Sequence, residues 1–202
     1  MRPYFFVAVC LLLISQNSFG QKQQSYLITE KSFAGINKTT SLAELQKLFG
    51  KNNLKDDIDP GPEGGDSILV TKVFPGKTKE IVVFWAKKGY HKRVVFAECY
   101  QPKSPYFTKD SLKIGSTLKK VLEVNGHKIN FSGIGWDYGG FISSYNNGKL
   151  YKSTINLQLY GKDGVSNKLM GDTQLHTDMP LVKKNLTNLY IGKISLSLSN
   201  EE

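Results

Sequence analysis

The chain has 202 residues, and its 27 lysines and arginines outnumber its 17 aspartates and glutamates, which gives a formal net charge of +10. The basic residues are scattered, and no run is longer than the three residues His91, Lys92 and Arg93. Proteins that bind nucleic acids usually show clustered basic residues or a recognition motif. The composition therefore predicts no nucleic-acid partner, and the length is sufficient for a buried core.

Residues 1–20 have the pattern of a secretory signal peptide. Arg2 supplies a positive charge, and the uncharged segment Tyr4–Ile14 has the length of a signal hydrophobic region, too short to cross a bilayer as a helix. Small residues at the −3 and −1 positions, the latter Gly20, mark a cleavage site before Gln21. The alternative is an N-terminal membrane anchor. We expect a secreted or periplasmic protein, soluble after cleavage, with no transmembrane anchor in the mature chain.

The two cysteines have different expected roles. A lipoprotein needs a cysteine directly after the hydrophobic region, whereas Cys10 lies inside that region, so the chain is not expected to be a lipoprotein. Removal of the leader leaves Cys99, which cannot form an internal disulfide. Because Cys99 lies in an apolar segment, residues 94–100, we predict a buried and inert thiol rather than a nucleophile.

Two segments, residues 36–50 and 112–126, align without a gap, and each predicts a short amphipathic helix. Leucine, valine and phenylalanine recur on one helical face at three- and four-residue spacing. Each segment also carries an N-cap and a glycine placed to end the helix in the left-handed conformation: Ser41 with Glu44 in a capping box before Gly50, and Thr117 before Gly126.

Strand-like segments rich in valine, isoleucine and phenylalanine follow each helix. The predicted strands are Ser67–Phe74, Lys79–Ala86, Lys92–Glu98, Lys128–Ile134, Phe141–Tyr145, Leu150–Tyr160 and Tyr190–Leu198. Asn146, Asn147 and Gly148 predict a hairpin turn between the fifth and sixth of these. The last two strands alternate apolar and polar residues, as in a sheet with one face on a core and the other face open.

These elements predict an α+β fold made of two similar halves, each a helix packed on an antiparallel sheet with an open face. The first half spans residues 21–104 and the second residues 105–202. The joint falls at Pro102–Pro105.

The order of helix and antiparallel meander, present twice, resembles the tandem β-lactamase-inhibitor-protein-like (BLIP-like) fold. It is also similar to the small lipoprotein of the Bam outer-membrane assembly complex, which uses one such unit. The second half resembles uncharacterised exported proteins of Bacteroidetes-type bacteria through Leu112–Gly115, the helix end at Asn125 and Gly126, and Gly133–Gly140. The likeness covers residues 108–199 and, more weakly, 30–100. It implies protein or ligand binding and supplies no catalytic residue.

The segment Gly133–Gly140 is the sharpest candidate site. Four glycines bracket Trp136, Asp137 and Tyr138, and glycine permits the bulges and tight turns that present side chains at a sheet edge. Tryptophan and tyrosine are favoured anchors in binding sites. We therefore predict that these three residues bind a partner; the alternative is that Trp136 fills the core while Asp137 caps a turn.

Other polar groups are given structural interpretations. The acidic, glycine-rich segment Asp56–Asp66 lacks the ligand spacing of a calcium loop and is predicted to be a solvated loop. His91, His127 and His176 lie far apart in the chain, without a second ligand at metal spacing. We expect no metal and no cofactor.

Three functions remain open at this point. The first is an exported, non-catalytic protein that binds a protein or peptide through the sheet face and the aromatic-glycine segment. The second is an assembly or structural factor of the cell envelope. The third is a small hydrolase that would combine Asp137, His127 and another group.

Overall fold

The computed structural model describes residues 25–60, 67–88, 90–136 and 138–198. The predicted signal peptide and Asp137 lie outside these ranges. The described residues form an α+β fold with three α-helices and twelve strands. The helices are α1 Leu42–Phe49, α2 Leu118–Asn125 and α3 Pro180–Asn185. The strands are β1 Leu27–Thr29, β2 Ser32–Phe33, β3 Leu54–Asp59, β4 Ile68–Val73, β5 Ile81–Trp85, β6 Val94–Cys99, β7 Phe107–Thr108, β8 Asn130–Ser132, β9 Ile142–Ser144, β10 Ile155–Gly161, β11 Gln174–His176 and β12 Leu189–Ser197.

The N-terminal caps of α1 and α2 are as predicted. The backbone N–H of Glu44 donates to the Ser41 hydroxyl at 3.3 Å, and the Glu44 carboxylate accepts from the Ser41 backbone N–H at 2.7 Å. Thr117 caps α2, and Gly126 ends it in the left-handed conformation. The prediction for Gly50 is wrong in part: its φ is positive but its ψ is 134°, because the chain turns directly into a 3-10 turn after α1.

Three sheets organise the strands. The large sheet has the order β10-β12-β6-β5-β4-β3 and is antiparallel throughout. Two three-stranded sheets, β2-β1-β7 and β11-β8-β9, accompany it. The large sheet takes four strands from residues 21–104 and two from residues 105–202, so strands of both predicted halves are hydrogen-bonded to one another at β6 and β12.

One face of the large sheet packs on the core. Residues paired directly across the strands share a face, and Val83, Ala97, Leu196 and Ile155 form such a row of buried side chains. The same cluster of buried residues includes Leu45 of α1 and Val121 of α2 among others. The other face, here called the outer face, carries the alternating residues Lys72, Phe84, Glu98, Lys193 and Gln158 and their neighbours.

Two local predictions are wrong. Asn146 and Asn147 do form a turn with positive φ, but it joins no hairpin, because β9 pairs with β8 whereas β10 pairs with β12. The side chain of Asn125 holds this turn instead, donating to the Tyr145 carbonyl at 2.9 Å and accepting from the Leu150 backbone at 3.1 Å.

The first residues of the predicted acidic loop, 56–59, form the edge strand β3 instead. Pairing with β4 places Asp57 against Lys72 at 2.8 Å and lets the Thr71 hydroxyl donate to Asp56 at 2.7 Å, so cross-strand partners compensate the carboxylates. Residues 61–66 of that segment lie outside the described residues.

The two halves differ in how their strands are used. In the first half α1 precedes the four-stranded meander β3 to β6. The strands that follow α2 are divided between the large sheet and the small sheet β11-β8-β9. A tandem of two similar halves therefore stays a prediction.

Candidate functional site

A cleft of about 700 Å³ lies between the outer face of the large sheet and the segment 132–143. The floor is made by side chains of β5, β6, β10 and β12, and the opposite wall by the sheet β11-β8-β9 with the aromatic-glycine segment that joins β8 to β9. Ligand sites in proteins commonly have about 300–1,000 Å³. The volume of the cleft therefore falls within the range of known ligand sites.

Backbone hydrogen bonds fix the aromatic-glycine segment on both sides. On one side Gly133 donates to Thr173 at 2.7 Å and Ile134 donates to Leu169 at 2.8 Å. On the other side Leu159 of β10 donates to Gly140 at 2.8 Å. Gly140 has a φ of 73°, and a Cβ there would collide with the Leu159 carbonyl. The glycine is thus required both for its backbone conformation and for the close approach to β10.

Trp136 lies in the cleft wall and not in the buried core. Its side chain is half-buried, its indole Nε1 donates to the Gly133 carbonyl at 2.9 Å, and its ring meets that of Tyr138 edge to face at 5.7 Å. Tyr138 and Phe141 are each 49% exposed and border the same cleft. The structure thus brings two of the three predicted site residues together, while Asp137 lies outside the described residues.

Ser132 holds this wall in place. Its hydroxyl donates to the Tyr138 carbonyl at 2.9 Å and accepts from the Phe141 backbone N–H at 3.0 Å. The Gln158 side chain of the floor donates to the Gly139 carbonyl at 2.7 Å. The aromatic wall is therefore anchored to the sheet floor before any partner arrives.

The floor combines aromatic and polar side chains. The rings of Phe84 and Phe96 meet edge to face at 5.4 Å. Asn156, Gln158 and Ser195 lie beside them on β10 and β12 and line the same cleft. Apolar rings interspersed with hydrogen-bonding groups are typical of sites that bind an amphipathic ligand.

Charged groups in the cleft are mostly acidic. Asp59, Glu98 and Asp172 line it together with Lys193. The Glu98 side chain is 9% exposed, and the distance from its Oε2 to Lys193 Nζ is 3.7 Å. Burial raises the pKa of the Glu98 carboxyl, and the charge of Lys193 opposes the rise. Within the described residues, no three His, Cys, Asp or Glu side chains are grouped so that they could hold a metal ion.

The floor residues were not among the predicted site residues. Phe84, Phe96, Glu98 and Lys193 stand on the outer face through the two-residue period of β5, β6 and β12. That period was visible in the sequence for β12, but which strands lie beside one another, and which segment covers them, was not.

A second polar network lies on the inner face at the β3 edge. Trp85 Nε1 donates to Thr71 at 2.9 Å, Thr71 donates to Asp56, and His91 Nε2 lies 3.2 Å from Asp56 Oδ2. The Tyr90 ring stacks on His91 with centroids 3.8 Å apart. Burial, followed by the charge of Asp56, raises the pKa of the Tyr90 phenol. This network ties the loop before β6 to β3, which is a structural role.

The remaining candidates do not join the cleft. His127 borders a separate hollow with Asp178, beside α2 and α3. Cys99 is buried as predicted, and burial raises the pKa of its thiol to about 12. His176 is half-buried and lies in β11.

No helix in the described part of the chain is long and apolar enough to span a membrane. No family model matches the sequence, and no curated protein matches it. Among solved structures, the chain is similar to the uncharacterized protein YfeY from Escherichia coli, with a TM-score of 0.48 and 12% sequence identity. The match covers 84% of this chain and 98% of that one.

Proposed function

We propose that this chain is an exported, non-catalytic binding protein that takes a segment of a protein or peptide into the cleft between the outer sheet face and the aromatic-glycine segment. The signal-peptide pattern of residues 1–20 supports export, with cleavage near Gly20. The tandem BLIP-like arrangement is part of this proposal and rests on the order of helix and strand-like segments in the sequence; the division of the strands after α2 between two sheets adds no support to it.

One observation carries the proposal: half-exposed aromatic rings stand on a backbone that is hydrogen-bonded on both sides. Tyr138 and Phe141 would each leave about half of the side chain in water in the free protein, while the segment that presents them is fixed to β10 and to residues 169–173. Rigid aromatic side chains bury a large area with little loss of conformational entropy, so they favour binding.

The polar groups of the cleft favour a peptide over a purely apolar ligand. Ser143, Asn156, Gln158 and Gln174 line the cleft beside the rings. Amides and hydroxyls of this kind can donate to and accept from peptide groups. The hydrolase alternative would combine Asp137, His127 and another group; Asp137 lies outside the described residues, and His127 does not line the cleft.

Site-specific photo-crosslinking tests the proposal. A benzoylphenylalanine replaces Tyr138 at the rim of the cleft, and in a matched control it replaces Tyr151, which is 55% exposed and does not line the cleft. Both variants are expressed with their leader in the source organism and irradiated. We expect a discrete crosslinked partner from position 138 alone, and the same partner should bind the purified mature chain. Identical products from both positions, or none from position 138, would contradict the proposal.

A further inference from the structure

The cleft has the opposite charge to the rest of the chain. The described lining residues include three carboxylates and one cation, namely Asp59, Glu98, Asp172 and Lys193. The chain as a whole has a formal net charge of +10. Because a surface is attracted to a partner of opposite charge, this local reversal selects the sign of the ligand.

Glu98 keeps the capacity to bind a donor from the cleft. Its distance of 3.7 Å to Lys193 is that of an ion pair and is too long for a hydrogen bond. A carboxylate offers about four acceptor positions. The residue paired with Glu98 on β12 is Ser195, which carries no charge. A second cation could therefore reach this carboxylate without displacing Lys193.

The wall opposite Glu98 is aromatic. Trp136, Tyr138 and Phe141 line it, and tryptophan is the best of the natural side chains at attracting a cation to its ring face. An anionic segment would meet three carboxylates here, and an apolar one would cover Asp172 without compensating its charge and would leave Glu98 with Lys193 alone.

We propose that the segment bound in the cleft carries a lysine or arginine side chain, which packs on the rings of Trp136 and Tyr138 and has the carboxylates of Glu98 and Asp172 as its counter-charges. This inference rests on the proposed peptide-binding function and specifies the chemistry of the partner. The occupant is a cationic peptide segment of another protein.

The two tryptophans of the chain supply a direct assay. Trp85 and Trp136 each give one indole N–H signal in a ¹⁵N-labelled mature chain. Trp136 reports on the cleft, whereas Trp85 is buried on the inner face with its N–H bonded to Thr71, and serves as an internal control. The variant Trp136→Phe assigns the signals.

The probes are four pools of acetylated and amidated pentapeptides with Lys, Arg, norleucine or Glu at the centre, flanked by equal mixtures of Ala, Ser, Leu and Tyr. Norleucine matches the length of lysine without its charge. We expect the Lys and Arg pools to move the Trp136 signal and not that of Trp85, and to bind about tenfold or more tightly than the norleucine pool, because a charged hydrogen bond and a cation–π contact are added. The Glu pool should bind least.

Variants locate the effect. Glu98→Gln and Asp172→Asn should each reduce the preference for Lys over norleucine to about threefold or less. Glu123→Gln, the same change at an exposed position outside the cleft, should leave the preference intact. Because Asp172 is exposed, its variant keeps the test valid should Glu98→Gln fail to fold.

The outcomes separate this inference from the proposed function. Equal binding of the norleucine and Lys pools at Trp136 would overturn the cationic partner and leave peptide binding intact. No movement of Trp136 with any pool would overturn both. If butylammonium chloride binds as tightly as the Lys pool, the ligand is a small amine and not a peptide. If the Trp136 signal moves with protein concentration alone, a second copy of the chain occupies the cleft. Either result would overturn the proposal.

Discussion

Trp136 and Trp85 should differ sharply in what they contribute to stability. Trp85 is 4% exposed, packs in the core, and donates to a hydroxyl that is itself buried. Truncating such a side chain to alanine costs about 3–5 kcal/mol. Trp136 is half-buried. Its truncation to alanine removes one hydrogen bond to Gly133 and one edge-to-face contact with Tyr138. Those two contacts together amount to about 1–2 kcal/mol.

The variants Trp136→Ala and Trp85→Ala test this difference in stability. Thermal and urea unfolding of each mature chain is monitored by far-UV circular dichroism. In a chain of this size 1 kcal/mol moves Tm by about 2–4 °C. We expect Trp136→Ala to lower Tm by roughly 2–8 °C and Trp85→Ala by roughly 6–20 °C, with the larger loss in Trp85→Ala.

Equal losses in the two variants would refute the reasoning, because Trp136 would then be a core residue. The cleft wall would lose its main ring, and the binding assignment of Trp136 would fail with it. If instead Trp136→Ala stays folded, the same variant should lose the crosslinked or titrated partner, which connects the stability measurement to the proposed function.

Three further predictions follow from single groups. Gly140→Ala should lower the free energy of unfolding by about 2 kcal/mol more than Gly76→Ala, measured by urea titration, because both positions have positive φ but only Gly140 would also place a Cβ against backbone; equal losses would mean that the close approach to β10 is unimportant. Cys99 should not react with a thiol reagent at pH 8 in the native chain, since its thiol is buried and its pKa is about 12, and it should react at once in urea; fast native labelling would contradict the burial. The raised pKa of Glu98 means that the folded state holds this proton more tightly than the unfolded one, so the contribution of Glu98 to stability falls as pH rises above 4.5. The free energy of unfolding of Glu98→Gln, relative to that of the natural chain, should therefore increase between pH 4 and pH 7, and a flat difference would contradict the shift.

Local signals were sufficient for part of the fold. The capping box at Ser41 and the cap at Thr117 place the starts of α1 and α2, because these hydrogen bonds join residues three positions apart. The burial of Cys99 follows from the apolar strand that contains it. Seven of the strands were expected within a few residues of their observed positions, although their partners were not.

Long-range pairing decided the rest. Asp56 and Asp57 of β3 are compensated across the strand pair by Thr71 and Lys72 of β4, and the sequence around β3 contains no signal for this pairing. Likewise the turn at Asn146 is held by Asn125, so β9 and β10 part into different sheets. Such contacts depend on which strands and turns meet, and an alternating pattern within one strand does not specify its neighbours.

The candidate site shows the same division. The order of amino acids is enough to place Trp136 and Tyr138 in a glycine-rich segment suited to present them, because the conformational freedom of glycine is a local property. The packing of the sheets, in contrast, sets this segment along β10 and beside Phe84 and Phe96, and it brings Glu98 and Lys193 into the same cleft from strands far apart in the chain. A side chain acquires its partners from the packing of the sheets, and that packing is set by the burial of the whole core rather than by any one segment.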